Sequence, residues 1–199
     1  YHMVSFGFIL GEVVRRVTGR TLGQYLRTEI AEPIGADVHI GLPLAQHRRC
    51  AQMVDKPHIR DVLGGGGAPS DPISLDEHPM AALSVAMGFV PDDELGSHDI
   101  AAWRAAEFPG TNAHVSALGM ATFYNALAQE KLLSRELMER VRVSQGGFDT
   151  DVVLGARVAD HGWGLGYMLN QRGVAGPNTA IFGHGGFRGA VSFCGPEHR

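Results

Sequence analysis

The sequence predicts an α+β fold in which a helix-rich part precedes a strand-rich part. Apolar residues recur at helical spacing in several segments before residue 146, and short apolar runs separated by glycine, proline and asparagine follow it. The connections between those runs are too short for helical crossovers, so the strands are expected to pair antiparallel. We therefore interpret the chain as a single domain, with residues 1–145 mainly helix and loop and residues 146–199 forming sheet strands.

Composition limits the classes of function that fit this chain. Its 199 residues are 44% apolar, which is enough to bury a substantial core. The formal charge is −4 and charged residues make up 19%, so the sequence predicts no nucleic-acid partner. No run approaches the roughly 18 consecutive apolar residues of a membrane span, so no integral membrane segment is expected.

Metal, cofactor and disulfide sites are not predicted either. Cys50 and Cys194 lie far apart and match no metal-ligand spacing, so we expect buried thiols and no disulfide bridge. These thiols do not fix the compartment, for which the cytoplasm is slightly favoured. The glycines at 64–67 are not followed by the Gly-Lys-Ser/Thr of a phosphate-binding loop and are interpreted as a flexible loop. The sequence thus predicts no cofactor and no metal.

Helical spacing predicts two helices at the start of the chain. The first covers residues 4–17, with Gly19 as its stop. The second begins at Thr21, where Thr21 and Gln24 have the spacing of a capping box, and Pro33 is expected to end it. Residues 38–42 then alternate as a short strand does.

The middle of the chain is less regular. Residues 55–76 are predicted to form a surface loop and residues 77–88 a short helix. Residues 89–115 are expected to be irregular, and long loops of this kind usually line a site or pack over one.

Capping serines then predict two further helices, before the strands begin. Ser116 precedes a helix at 117–129, and a shorter helix follows Ser134. The predicted strands are residues 152–154, 164–169, 180–182 and 190–193.

The segment from Phe182 to Phe193 has the most informative local pattern, in which Gly-His-Gly-Gly lies between two strand-like runs. Glycine within a strand often marks close approach of the backbone to a ligand. A histidine there can reach a substrate, and a free backbone N–H can donate to a developing oxyanion. Taken alone, however, this pattern favours a tight β-turn with a surface histidine.

Segments spread over nearly the whole chain follow the order and spacing of a known family. They are Tyr1-His2, Ser5 to Gly7, Leu10 to Val14, Val17 to Gly19, Glu32 to Gly35, Ala105 to Pro109, Asn112 to His114, Gly119 to Leu127 and Phe182 to Gly186. This pattern resembles the β-lactamase-related serine hydrolases, which include class C β-lactamases, D-amino-acid peptidases and many esterases. The last segment falls at the third motif, which is Lys-Thr-Gly in many β-lactamases and His-x-Gly in many esterases.

The resemblance implies a partial β-lactamase/transpeptidase-like fold and hydrolysis of a small-molecule ester or amide through a serine acyl-enzyme. Tyr1 would be the partner of the catalytic base, since a phenol acts as a base at neutral pH only where its neighbours favour the phenolate. His184 would take the place of the third-motif lysine, and the backbone N–H of Phe187 would donate to the oxyanion. The implied substrate-binding residues are Gly185, Gly186, Arg188 and His114.

The chain also departs from the family pattern. No Ser-x-x-Lys motif occurs in it, and Met3 stands where β-lactamases have an asparagine. A carboxylic ester is the favoured substrate because the imidazole of His184 cannot hold a β-lactam carboxylate as a lysine would, although Arg188 could partly substitute. The alternatives are a β-lactamase or D-amino-acid peptidase, and an inactive hydrolase remnant or binding module.

For the 199 residues alone, the inactive remnant is the favoured interpretation. The chain is expected to be truncated at both ends relative to the family. Missing strands would leave a sheet edge exposed, so self-association through that edge is predicted.

Overall fold

The computed structural model describes residues 2, 5–51, 101–146, 162–171, 173, 176–186 and 190–195. The chain divides into two compact units. The helical unit comprises residues 2–23 and 39–114, and the sheet unit comprises residues 1, 24–38 and 115–199. The loop predicted at 55–76, the helix predicted at 77–88 and the strand predicted at 152–154 lie outside the described residues.

The first predicted helix is confirmed as α1, Ser5–Thr18. Its exposed face carries a charge cluster in which Glu12 accepts hydrogen bonds from Arg15 and Arg16, each at 2.7 Å. These two bonds lower the pKa of Glu12 to about 2, and the bond from Arg15 has the larger effect. Gly19 ends the helix at φ 72°, in the left-handed region that glycine adopts without strain.

The second helical segment is longer than predicted. It begins as α2, Leu22–Tyr25, widens into a π-helical stretch at Leu26–Ala31 and ends as α3, Glu32–Ile34. The predicted stop at Pro33 is wrong because this proline lies in the first turn of α3, where its missing N–H costs no hydrogen bond. The segment ends instead at Gly35, at φ 68°.

Two short strands, β1 at Val38–His39 and β2 at His114–Val115, form a two-stranded sheet. Strand β1 is shorter than the predicted 38–42 because Gly41, at φ 72°, turns the chain. A 3-10 helix, Leu44–Arg49, follows.

The expectation that residues 89–115 are irregular is wrong where they contain β2 and the short helix α4, Ala101–Ala105. The buried amide of Asn112 donates to the carbonyls of Trp103 and Ala106, at 2.9 and 2.7 Å. These bonds satisfy carbonyl groups at the end of α4 that a five-residue helix cannot pair internally. A contact between separate segments therefore supports a helix too short to show a sequence period.

The two capped helices are confirmed as α5, Ala117–Ala128, and α6, Arg135–Val141. The hydroxyl of Ser116 accepts from the Gly119 N–H at 2.9 Å, and that of Ser134 accepts from Leu137 N–H at 3.2 Å. Both serines thus act as the N-caps that the sequence predicts.

The sheet unit contains a four-stranded antiparallel sheet, as predicted. Its strands follow one another in chain order as β3, Gly162–Trp163, β4, Met168–Leu169, β5, Phe182–Gly185, and β6, Val191–Cys194. The strand predicted at 164–169 is confirmed only at Met168–Leu169, because a turn closed by a 2.9 Å bond from Gly164 N–H to the Tyr167 carbonyl occupies residues 164–167.

Strand β5 begins two residues later than predicted and extends through Gly185. His184 therefore lies in a strand, and the alternative that places it in a tight turn is wrong.

The core of the sheet unit lies between α5 and the sheet. Phe182 pairs with Leu169 on one side and Cys194 on the other, so the three side chains share one face. Phe182 is 1% exposed and packs with Leu127, which is 2% exposed. Cys50 and Cys194 are both free thiols; the prediction of burial is confirmed for Cys194 and wrong for Cys50, which is partly exposed.

Two further observations concern the described residues only. Among them, no helix is long and apolar enough to cross a membrane. Nor do they bring together three or more His, Cys, Asp or Glu side chains in a group that could hold a metal ion.

Candidate active site

His184 lies near the end of β5, where its backbone pairs with Ser192 of β6. Its ring atom Nδ1 is 2.6 Å from the carbonyl oxygen of Gly185. Because a carbonyl oxygen only accepts, Nδ1 must carry the proton in this contact, and Nε2 keeps a lone pair when the ring is neutral. The imidazole can therefore accept a hydrogen bond or a proton at Nε2.

The glycines around His184 differ in what they contact. A methyl group added to Gly183 would overlap the carbonyl oxygen of Ser192 and lie 2.6 Å from the Cα of Phe193. Among the described residues, a methyl group on Gly185 would meet no atom within 4 Å. Gly183 therefore permits close packing of β5 on β6, whereas the described surroundings of Gly185 leave room for a side chain.

Gly186 follows the strand and continues the pairing of the two chain segments. Its N–H donates to the carbonyl of Ala190 at 2.6 Å, so this backbone donor is used within the chain. An added methyl group would come within 3.4 Å of Ala190, which is tight but not an overlap.

An aromatic residue that the sequence analysis missed lies beside His184. The rings of Trp163 and His184 have centroids 5.8 Å apart and planes inclined by 48°. Trp163 belongs to β3 and lies between two glycines in the sequence. This Gly-Trp-Gly pattern is the sequence feature that could have marked it as a candidate site residue. Only the three-dimensional structure shows that its ring contacts a histidine two strands away.

Two phenols belong to the packed core of the sheet unit, which also includes Phe182 of β5. Burial raises the pKa of Tyr124, on α5. Tyr167 packs its ring edge on Phe182 at 4.9 Å, and burial raises the pKa of Tyr167 to about 12. Both phenols are therefore uncharged near neutral pH.

Three of the predicted site residues, Tyr1, Phe187 and Arg188, lie outside the described residues. His184, Gly185 and Gly186 are adjacent in the sheet unit. The catalytic, oxyanion and substrate-binding roles given to these six residues stay predictions.

His114 belongs to the helical unit, where it begins β2. Burial is the main cause that lowers the pKa of His114; nearby Arg104, His47 and His39 lower it further, while a hydrogen bond to the Asn112 backbone opposes them. Within the part of the chain that the structure describes, its buried Nδ1 has no hydrogen-bond partner. These features favour a neutral ring, and its predicted contact with substrate stays a prediction.

The described sheet unit thus combines an antiparallel sheet, a helix packed on it and a histidine in a glycine-rich strand. Comparison with known families identifies this arrangement, because the family model described as Beta-lactamase matches residues 1–199. The chain belongs to the Beta-lactamase family. One curated relative is Esterase/beta-lactamase LipL of Mycobacterium tuberculosis (strain ATCC 25618 / H37Rv), 26% identical over 209 residues, covering 99% of this chain and 45% of LipL.

Solved structures of similar proteins confirm the α+β, β-lactamase/transpeptidase-like fold. A penicillin-binding protein homolog from Caulobacter crescentus matches with a TM-score of 0.76 and 29% identity, over 99% of this chain and 49% of its own. A family VIII carboxylesterase matches with a TM-score of 0.72 and 31% identity, over 99% of this chain and 49% of the carboxylesterase. EstA from Arthrobacter nitroguajacolicus Rue61a matches with a TM-score of 0.75 and 26% identity, over 100% of this chain and 51% of EstA. The chain therefore spans about half the length of these Beta-lactamase-like relatives.

Proposed function

We propose that the full-length gene product is a serine-type carboxylic ester hydrolase that acts through an acyl-enzyme. The observation that carries this proposal is the position of His184, on a glycine-rich strand of a chain that belongs to the Beta-lactamase family. The names of two similar proteins, an esterase/beta-lactamase and a carboxylesterase, support hydrolysis of esters.

The proposed reaction begins when a serine oxygen attacks the ester carbonyl and its proton passes to a base, with Tyr1 as the base partner. The tetrahedral oxyanion is stabilised by donors that include the backbone N–H of Phe187. Collapse of this intermediate breaks the ester C–O bond and releases the alcohol, which takes up the proton. Water then hydrolyses the acyl-enzyme. Ser-x-x-Lys does not occur within residues 1–199, so this chemistry requires the motif from chain outside them.

The preference for an ester over a β-lactam follows from the charge available near β5. A β-lactam carboxylate is best held by a fixed cation, and the only lysines in these 199 residues are Lys56 and Lys131. His184 offers a lone pair at Nε2 when its Nδ1 proton is donated to Gly185. Arg188 is the nearest basic residue in the sequence and is the cation that could reverse this preference. In this proposal Gly185, Gly186 and Arg188 line the substrate.

The test compares turnover of p-nitrophenyl butyrate and nitrocefin by the full-length gene product. We expect the ester to be hydrolysed faster, and we expect His184→Lys to shift the ratio towards nitrocefin. The ratio serves as its own control, because a loss of folded protein lowers both rates equally. Faster turnover of nitrocefin by the unmodified protein would replace the esterase assignment with a β-lactamase.

A second candidate is favoured by the missing Ser-x-x-Lys, namely that the 199 residues alone are an inactive remnant or binding module. We expect this chain alone neither to hydrolyse p-nitrophenyl esters nor to react with a fluorophosphonate probe. The full-length gene product, treated in parallel, is expected to be labelled. Labelling of the 199-residue chain at any serine would contradict the remnant.

A further inference from the structure

The side of helix α1 that packs on the rest of the helical unit carries glycines. A methyl group added to the buried Gly7 would lie 2.6 Å from the backbone nitrogen of Gly110. A methyl group on Gly11 would lie 3.7 Å from the Cβ of Leu22 and 3.8 Å from the Cγ of Pro109. The helix therefore approaches its own unit closely at these two positions.

Another side of α1 carries an exposed row of large apolar side chains, which we call the apolar stripe. It consists of Phe6, Ile9, Leu10, Val13 and Val17. Since successive residues are about 100° apart on a helix, these five positions fall within about 100° of its circumference. Their exposed fractions run from 45% for Leu10 to 79% for Val17. A surface helix normally turns such a stripe towards a core, whereas α1 turns it outward.

The charges that border the apolar stripe are paired with one another. Glu12 accepts hydrogen bonds from Arg15 and Arg16, and Arg16 lies two helical turns beyond Ile9 on the same side of α1. Because the carboxylate offsets much of the charge of the two guanidinium groups, this border favours an apolar partner over a strongly charged one. Contiguous exposed apolar surface of this kind marks an interaction site.

The lengths of the relatives indicate where this partner lies. LipL and the three solved structures described above match 99–100% of this chain with only 45–51% of their own length. In each of them the matched residues are therefore about half of one polypeptide. A segment of the same polypeptide is present at a higher effective concentration than a separate molecule, because it is tethered.

We propose that the apolar stripe of α1 packs against an amphipathic helix in the part of the full-length gene product that lies outside residues 1–199. The spacing of the stripe forms a ridge of the kind that packs into the groove of a second helix. Phe6 and Val17 are about 16 Å apart along the axis, so a partner helix of three turns covers the stripe. This inference concerns packing and does not depend on the proposed esterase function.

Photochemical crosslinking in the full-length gene product identifies what covers the apolar stripe. Phe6→p-benzoylphenylalanine places a photoreactive ring in the stripe. Phe8→p-benzoylphenylalanine is the matched control on the same helix, because Phe8 packs its ring on Phe108 with centroids 4.8 Å apart. We expect mass spectrometry to join position 6 to a peptide from outside residues 1–199 of the same molecule, and position 8 to the peptide that contains Phe108.

The alternative occupants give different products, and each would overturn the proposal. A crosslink from position 6 to a peptide within residues 1–199 would show that these residues cover the stripe themselves. A crosslinked dimer would assign the stripe to a second copy of the protein. Binding of the unmodified protein to anionic phospholipid vesicles that is lost in Val13→Asp would assign it to a membrane surface.

Thiol labelling measures coverage of the stripe without a crosslink. In a Cys50→Ser background, Val13→Cys lies in the stripe and Arg15→Cys lies on nearly the opposite side of α1, while the remaining thiol, Cys194, is buried. We expect iodoacetamide to modify Val13→Cys at least about tenfold more slowly than Arg15→Cys in the full-length gene product. Equal rates in folded protein would show that the stripe faces solvent, and the proposal would fail.

Discussion

The indole ring of Trp163 lies 5.8 Å from the imidazole of His184, although the two residues belong to strands that are not neighbours in the sheet. Ring pairs at this separation contribute about 0.5–1.5 kcal/mol beyond the area they bury. Trp163 therefore restricts the ring that we place in the acyl site.

We expect Trp163→Ala in the full-length gene product to lower kcat/KM for p-nitrophenyl butyrate by about two- to tenfold, the factor that a contact of this size supplies. Trp163→Phe should retain most of the activity because it keeps an aromatic face. Trp103→Phe is the matched control, since this tryptophan packs on Phe108 in the helical unit. Unchanged kcat/KM in a folded Trp163→Ala protein would show that the ring does not constrain the reacting group.

The glycines on either side of His184 provide a matched pair for stability. Gly183→Ala is expected to lower the free energy of unfolding by about 1–3 kcal/mol, because its methyl group overlaps the backbone of β6. Gly185→Ala should leave stability unchanged or raise it by up to about 1 kcal/mol, because its methyl group enters open space and the unfolded chain loses freedom.

Urea unfolding of both variants under the same conditions measures this difference. Equal loss of stability in the two variants would contradict the close approach of β5 and β6 at Gly183. A lower activity of Gly185→Ala at full stability would indicate that substrate approaches the chain at Gly185.

Features that depend on nearby residues could be predicted from the sequence. Ser116 and Ser134 each cap a helix with an N–H three residues away, and Gly19 ends a helix by its own backbone freedom. The antiparallel pairing also followed from short connections. These elements are local, so a single chain segment contains the information that specifies them.

The missed features depend on residues that are distant in the sequence. Helix α4 is supported by Asn112, and its five residues carry no measurable period. The ring contact between Trp163 and His184 joins strands that are not neighbours, and the pairing of Ser192 with His184 depends on a strand register that the segment boundaries did not give. A shift of one residue would reverse which side chains share a face. Only the three-dimensional structure therefore shows which of these residues lie near His184.

Glu107 links the start of α2 to a distant part of the helical unit. One carboxylate oxygen accepts from the hydroxyl of Thr21 and the other accepts from the N–H of Gly23 at 2.9 Å. We expect Glu107→Ala to lower the free energy of unfolding by about 1–2 kcal/mol, because it removes a helix cap and leaves two donors without this partner. Glu107→Gln should cost less, since the amide keeps one acceptor.

Chemical denaturation compared with Glu139→Ala checks this prediction, because Glu139 is exposed on α6 and serves as a neutral substitution. A loss in Glu107→Ala no larger than that in Glu139→Ala would show that the carboxylate does not stabilise the helix start.

His114 is expected to make stability depend on pH. Burial chiefly lowers the pKa of His114 from the ordinary 6.5, so below that value the unfolded chain binds a proton that the folded chain does not. The free energy of unfolding should therefore fall as pH drops below about 6.5, and stop falling once the folded-state pKa is passed. His114→Gln cannot titrate, and its amide can still donate to the Asn112 backbone.

We expect the stability of His114→Gln to vary less than that of the unmodified protein between about pH 7.5 and about pH 5. Thermal or urea unfolding at several pH values measures this, with His2→Gln as the control because its side chain is exposed. Arg104, His47 and His39 surround His114 and remain in both variants, so the difference in slope isolates the ring itself. If the free energy of unfolding of His114→Gln changed with pH as steeply as that of the unmodified protein, or more steeply, the result would contradict a neutral imidazole at His114.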